Sequence, residues 1–254
     1  MFRLLAFLIC LALPATAQED VVLGLSQNRV AITANFDGSE ILIFGAVKRE
    51  TAIPDGPQLE VIVTASGPKE PLVVRRKEKR FGIWVNTDSV TVDEAPSFYA
   101  VATSGPFDEI ISSVEDLRHE ISIREAIRSV GADMTVTDAQ DFAEAVARIR
   151  ENNGLYSLHE DTVAVSEQTL FRTSIQMPAN LTEGDYATRV FLLRDKEVIS
   201  IYETTIDVHK VGLERFLFNL SRQQPLIYGL LSIAIAIAAG WGASAFFRLI
   251  RQGH

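Results

Sequence analysis

No charged residue falls between Arg222 and Arg248. Wound as a helix at about 1.5 Å per residue, that gap is roughly 37 Å long, against about 30 Å of bilayer hydrocarbon. A run of this length and composition suits a bilayer better than the interior of a small domain. Tyr228 and Phe247 stand near its two ends, where interfacial aromatics belong, and Arg248 and Arg251 follow at once. A transmembrane helix is therefore expected over 225–247, with a tail at 248–254. Within it, Ala236, Gly240 and Ser244 repeat at four-residue spacing. Small residues so spaced let a second helix approach closely, which makes them a candidate helix-packing face. Just upstream, over 211–224, Leu213, Phe216, Leu217 and Leu220 share one helical face, a pattern that suits an amphipathic helix lying on the membrane surface or, alternatively, the last helix of the soluble domain.

The other end of the chain reads as a signal peptide over 1–17. Arg3 supplies the positive start, Leu4 to Leu13 an apolar run too short to span, and Ala15-Thr16-Ala17 a small-x-small cleavage site. Cys10 is the one cysteine and falls inside this segment. Ile9 precedes it where a lipoprotein site wants a small residue. The mature chain would thus lack a cysteine nucleophile, a thiolate metal site and any disulfide. Export followed by one stop-transfer helix gives a type I inner-membrane protein, its N-terminal domain periplasmic and its C-terminus cytoplasmic. The formal net charge of −9 disfavours nucleic acid, whose phosphates call for clustered Lys and Arg.

Between the two apolar ends the pattern is mainly β. Short alternating runs broken by Gly, Pro and charge fill 18–106 and 155–210. "RVAITANF" and "EILIFGAV" flank Asp37-Gly38-Ser39, which reads as a hairpin turn. Gly184 and Tyr186, ahead of an alternating strand, resemble the corner that opens a late strand of immunoglobulin-like sandwiches. The expected fold is one Ig-like antiparallel β-sandwich, or two closely packed. A helical insert interrupts it over 107–154. There Ile110, Val114 and Leu117 fit one helix face, Ile123, Ile127 and Val130 another, and Phe142, Ala145, Val146 and Ile149 a third. Thr137 and Gln140 have capping-box spacing, and Asn152-Asn153-Gly154 is a helix stop.

Nothing in the chain is spaced for catalysis. His119, His159, His209 and His254 have no second His or Cys at metal-ligand spacing. The acidic pairs Asp93-Glu94, Glu115-Asp116 and Glu160-Asp161 match no calcium loop, and phosphate-binding and nucleophile-elbow motifs are missing. No enzyme activity, metal or cofactor is expected. The one dense charge run is "RRKEKR". Arg75, Arg76, Lys77, Lys79 and Arg80, with Trp84 close behind, form a candidate patch for a small anion, an anionic surface or an acidic partner. Its plainer reading is a solvated hairpin. Trp84 is read as core beneath a second layer, with an exposed binding role as the alternative.

Several stretches together resemble a family. "LSQNRVAITANFDGSEILIFGAV", "VVRRKEKRFGIWVNT", "PSFYAVATSGP", "GLYSLHEDTVAVSEQTLFRTSIQMPANLTEGDY" and the final "VHKVGLERFLFNLSRQQPLIYGLLSIAIAIAAGWGASAFFR" occur in the order seen in the alphaproteobacterial putative transmembrane proteins. The resemblance implies an exported protein with one C-terminal span. It carries no activity or catalytic residues to transfer, and it implies a sulfite-exporter-type permease as a neighbour. The expected function is a non-enzymatic accessory or assembly subunit of such a permease. A periplasmic sensor of a small anion near Arg75 and Arg76 is the alternative.

Overall fold

The protein is described by a computed structural model covering residues 19–33, 36–50, 52–54, 56–127, 139–211 and 213–252. The expected signal peptide, Val130, Thr137 and His254 lie outside the described residues, as do the side chains of Leu213, Phe216, Phe247, Arg248 and Arg251. The described residues part into two compact units, at Val30/Ala31 and at Val208/His209. The first holds the sheets and the helical insert. The second holds the distal ends of two strands and the C-terminal helices.

The strands are β1 (Glu19–Leu25), β2 (Arg29–Ile32), β3 (Ser39–Arg49), β4 (Glu60–Ser66), β5 (Lys69–Arg80), β6 (Ile83–Pro96), β7 (Tyr99–Thr103), β8 (Tyr156–His159), β9 (Ala164–Ser166), β10 (Leu170–Met177), β11 (Gly184–Arg194) and β12 (Glu197–Lys210). One sheet has the order β1-β3-β10-β9, a second β2-β12-β11-β4-β7-β8, and β5 and β6 pair alone. This is the strand order of a single immunoglobulin-like sandwich. The central pairs are antiparallel, and β7–β8 at one edge is parallel. The Asp37-Gly38-Ser39 turn does not make the expected hairpin. β3 pairs with β1 and β10, whereas β2 joins the other sheet beside β12.

Alternation fixes the inner faces. In the first sheet, Val21, Ile41, Ile43, Phe171, Ile175 and Met177 are buried, and the residues between them are mostly exposed. In the second, Val61, Val63, Tyr186, Val190, Leu192, Ile206 and Val208 are buried on the matching face. The corner read from Gly184 and Tyr186 is present. Gly184 has φ +152°, and the Tyr186 hydroxyl donates to the Thr182 carbonyl at 2.8 Å. That bond pins the loop entering β11 to the strand.

The centre of the second sheet, at β4 and β7, is buried on both faces. β4 runs Val61-Ile62-Val63-Thr64-Ala65 without an exposed residue. Its outer face is covered by the insert, which comprises α1 (Phe107–Ile110), α2 (Ser113–His119), α3 (Ile123–Ala126) and α4 (Ala139–Asn152), and by the base of the β5–β6 hairpin. Ile62, Tyr99, Val101, Phe191 and Leu193 from the sheet share this core with Ile110, Ile121, Ile127 and Val146 from the insert and Val92 from the hairpin.

The insert departs from its expected faces at two places. Ile111 and Ser112 are extended, and the Ser112 hydroxyl accepts from Glu115 N to start α2 afresh. The restart turns Val114 and Leu117 into solvent while Ile110 stays buried. Glu115 takes the inward place because its carboxylate is occupied. It accepts from Val198 N at 3.3 Å and from Arg118, and faces His119 Nε2 at 3.4 Å. In α4, Phe142 and Val146 are buried and Ile149 is exposed.

Helix α5 (Leu213–Gln223) leads almost directly into α6 (Pro225–Gln252). Pro225 opens α6, where its missing N–H leaves no helical bond unmade, and the backbone ladder runs on through Gln224 N to Leu220 O and Tyr228 N to Gln224 O. Pro225–Ser244 is long and apolar enough to cross a membrane, with mean hydropathy 1.9. The protein is thus mainly β, an Ig-like sandwich with a helical insert and one C-terminal candidate span.

Candidate functional site

As its plainer reading has it, the basic run "RRKEKR" lies in a solvent-exposed hairpin. It is the distal half of β5, which continues as a strand to Arg80. Phe81 and Gly82 form the two-residue turn, with φ of 51° and 87°. Positive φ at both turn residues is the type I′ geometry that suits the twist of a hairpin. β5 and β6 pair from Lys69↔Pro96 to Arg80↔Ile83, with irregularities between Glu70 and Leu72 and between Arg76 and Lys77. At about 3.3 Å per residue, β5 is roughly 40 Å long.

The two halves of this hairpin differ. Near the base, Leu72, Val74, Val90 and Val92 turn toward the insert and are buried or half-buried. Arg76 shares that face, its guanidinium 4.9 Å from the centre of the Phe142 ring. Past Arg76 the covering stops. Trp84, expected in a core, is 68% exposed, and Phe81 and Ile83 are exposed with it. The reason is local. Alternation assigns Trp84 to a face, but among the described residues no second layer covers that face.

The structure separates the predicted cations. Arg75, Lys77 and Lys79 alternate along the open face of β5, and the register sets Trp84 directly across from Lys79. Arg76 is turned toward the insert, and Arg80 sits on the other side with Glu78, at 3.2 Å. The cations therefore form a strip along a strand, with no converging cup for one small anion.

Two hollows lie elsewhere. One of about 500 Å³ is bordered by Asp37, Glu40, His159 and Gln176. Another of about 210 Å³ lies at the hairpin base, bordered by Lys69, Tyr99, Glu120, Arg189 and Glu203. Its polar groups are already engaged. Arg189 donates to the carbonyls of His119 at 2.8 Å and Glu120 at 3.0 Å, capping the end of α2. Burial pushes the Tyr99 hydroxyl up to about 12, so it stays a donor, bonded to Ile121 O at 2.7 Å. Lys69 pairs with Glu94 at 3.3 Å.

Members of the acidic pairs singled out in the sequence, Glu115, Asp116 and Glu160, do structural work. Asp116 accepts from Ser122 N at 2.7 Å, and Glu160 caps α1 through Phe107 N at 2.7 Å. His119 lies against the Phe191 ring, centroids 6.0 Å apart. Among the described residues no group of three His, Cys, Asp or Glu could hold a metal.

On α6, Ala236, Gly240 and Ser244 fall on one strip, and all three are exposed. A Cβ added at Gly240 or at Gly242 would meet nothing within 4 Å. On α5, Leu217 and Leu220 are half-buried, and Phe218 is exposed beneath the Arg222 guanidinium, 5.4 Å from its ring centre. The residues that sequence reading passed over are Phe81 and Ile83. The Phe-Gly pair between two long alternating runs was the signal, masked because phenylalanine rarely takes a left-handed turn position.

A family model described as putative transmembrane protein (Alph_Pro_TM) matches residues 20–249. No curated protein matches the chain.

Proposed function

From a chain that belongs to the putative transmembrane protein family, we propose a single-span accessory or assembly subunit for a polytopic membrane protein. In this reading α6 crosses the inner membrane once, the sandwich lies in the periplasm and the C-terminus in the cytoplasm. The chain catalyses nothing itself. A sulfite-exporter-type permease is the partner class we favour.

The observation that carries the proposal is the span. None of its window from Pro225 to Ser244 is buried. Ala236 and Gly240 offer a strip on which another helix can seat its backbone. In lipid, close approach of this kind and the packing it allows replace the hydrophobic drive that is absent between apolar helices. A sandwich has no need of such a strip for its own stability. A small-anion sensor is less well supported, because Arg75, Lys77 and Lys79 line an open strand.

The test is crosslinking in intact cells followed by identification of what copurifies. The full chain, a chain ended before Pro225 and Gly240→Leu are compared. A polytopic membrane protein recovered with the full chain, lost on truncation and reduced at least about tenfold by Gly240→Leu is expected, since a Leu here holds the helices apart. Recovery unaffected by Gly240→Leu would overturn the packing face. Absence of any membrane partner from the full chain would overturn the accessory role.

A further inference from the structure

The distal β5–β6 hairpin is built at a cost to the fold. Phe81 occupies the left-handed region at φ 51° and is fully exposed. Left-handed geometry disfavours an L-residue with a bulky side chain, and Asn-Gly is the pair this turn prefers. Nothing in the folded domain gains from an aromatic ring there. Ile83 and Trp84 follow it into solvent. Along the adjoining open face run Arg75, Lys77 and Lys79, in a chain whose net charge is −9. Among the described residues no carboxylate pairs with these three cations. Two exposed aromatics at a tip, flanked by a basic strip, combine the groups that settle at a bilayer interface, where rings lie among headgroups and cations meet phosphates.

We propose that this hairpin is a membrane-docking finger, with Phe81 and Trp84 seated among anionic phospholipid headgroups and Arg75, Lys77 and Lys79 on their phosphates. The shape favours lipid over a protein partner. The tip is a two-residue turn, and neither of the hollows bordered by described residues includes Phe81, Ile83 or Trp84. The charge is complementary, since each basic residue near an anionic surface strengthens attachment about fivefold. The tether is the third argument. β12 ends at Lys210 and the span begins at Pro225, so only residues 211–224 separate the last strand from the span along the chain. A finger held at such high local concentration needs only weak intrinsic affinity. Of the proposed function it needs only the span, and it stands whether or not a partner protein exists.

The chain carries two tryptophans, Trp84 and Trp241 in α6. Trp241→Phe leaves Trp84 as the sole reporter. The full chain is placed in nanodiscs of phosphatidylcholine alone or of an equimolar mixture with phosphatidylglycerol. With phosphatidylglycerol, Trp84 emission should shift to the blue, be quenched by a headgroup-proximal spin-labelled lipid and resist aqueous iodide. Added salt should weaken all three effects. Reversing Arg75, Lys77 and Lys79 together to Glu should lower the docked fraction at least about tenfold. Phe81→Asn should also lower it while leaving the melting temperature unchanged or higher, which separates docking from folding. Trp84 open to iodide in both lipids would overturn the proposal. So would equal quenching in both, which would remove the charge from the argument. Shielding from iodide in native membranes without lipid quenching would assign the finger to a protein partner instead.

Discussion

Replacing Glu19 with alanine is expected to destabilise the sandwich by about 3–5 kcal/mol, the cost of stranding buried cations without their partner. Glu19 opens β1, and its side chain is 3% exposed. Arg49 Nε donates to it at 2.6 Å from β3, and Arg194 Nη2 at 3.0 Å from β11 of the opposite sheet. Arg49 also reaches Gln168 O and, at 3.2 Å, Thr169 Oγ1, and Arg194 reaches Pro57 O at 2.7 Å. One carboxylate thus ties both sheets and two loops at one end of the sandwich. Domains are stable by only about 5–15 kcal/mol, so the variant should still fold but melt roughly 10 °C lower.

The same group sets an acid dependence. Burial alone would push the Glu19 carboxyl up, but hydrogen bonds and charges from Arg194 and Arg49 outweigh it and hold the pKa below the ordinary 4.5. A depressed carboxylate contributes stability that is fully present above its unfolded pKa and lost as pH falls through the folded one. Wild type should therefore lose more stability below about pH 4.5 than Glu19→Gln does. Near-UV melts of the full chain in detergent across that window read both effects. Equal slopes for wild type and Glu19→Gln would show that the carboxylate is not charged in the folded state.

Phe191→Ala should cost about 3–5 kcal/mol as well, through the cavity left by a fully buried ring. The damage should be local. Phe191 lies on the outer face of the second sheet, across from Ile62, with His119 against its ring and the Arg189 guanidinium 5.1 Å away. Its loss loosens what the insert rests on and leaves the inner faces untouched. Limited proteolysis should then cut first within 107–154, while the strands of the inner sandwich persist. Cleavage spread evenly along the chain would mean the third layer is not a separable unit.

The strands, the corner at Tyr186 and the span were legible because each is written in local residues. A period of two, a Gly-x-Tyr before a strand and an uncharged run need no knowledge of the rest of the chain. Pairing was less legible. Asp37-Gly38-Ser39 carries the local sign of a hairpin, but β3 finds its partners in β1 and β10, far off in sequence order, and β2 joins the other sheet beside β12. Val114 and Leu117 look inward on a continuous helix and face solvent because Ser112 restarts the helix in a new phase. Glu19, Arg49 and Arg194 meet across long separations in sequence, which no spacing rule detects. Trp84 shows the limit for the candidate site. Its face follows from alternation, but whether another layer covers it depends on how far the insert extends.

A single helix that divides the chain between two sides of a membrane leaves the sandwich open to reagents outside the cell and the C-terminus closed to them. Cys10 is the one native cysteine, and it falls in the expected signal peptide, so single cysteines can report sidedness cleanly. Ala164→Cys, on an exposed strand of the sandwich, and Gln252→Cys, at the end of α6, are labelled with a membrane-impermeant maleimide in intact cells and after lysis. Ala164→Cys should label in intact cells and Gln252→Cys only after lysis, and wild type should offer no thiol in either case. Labelling of both positions in intact cells, or of Gln252→Cys alone, would contradict that arrangement.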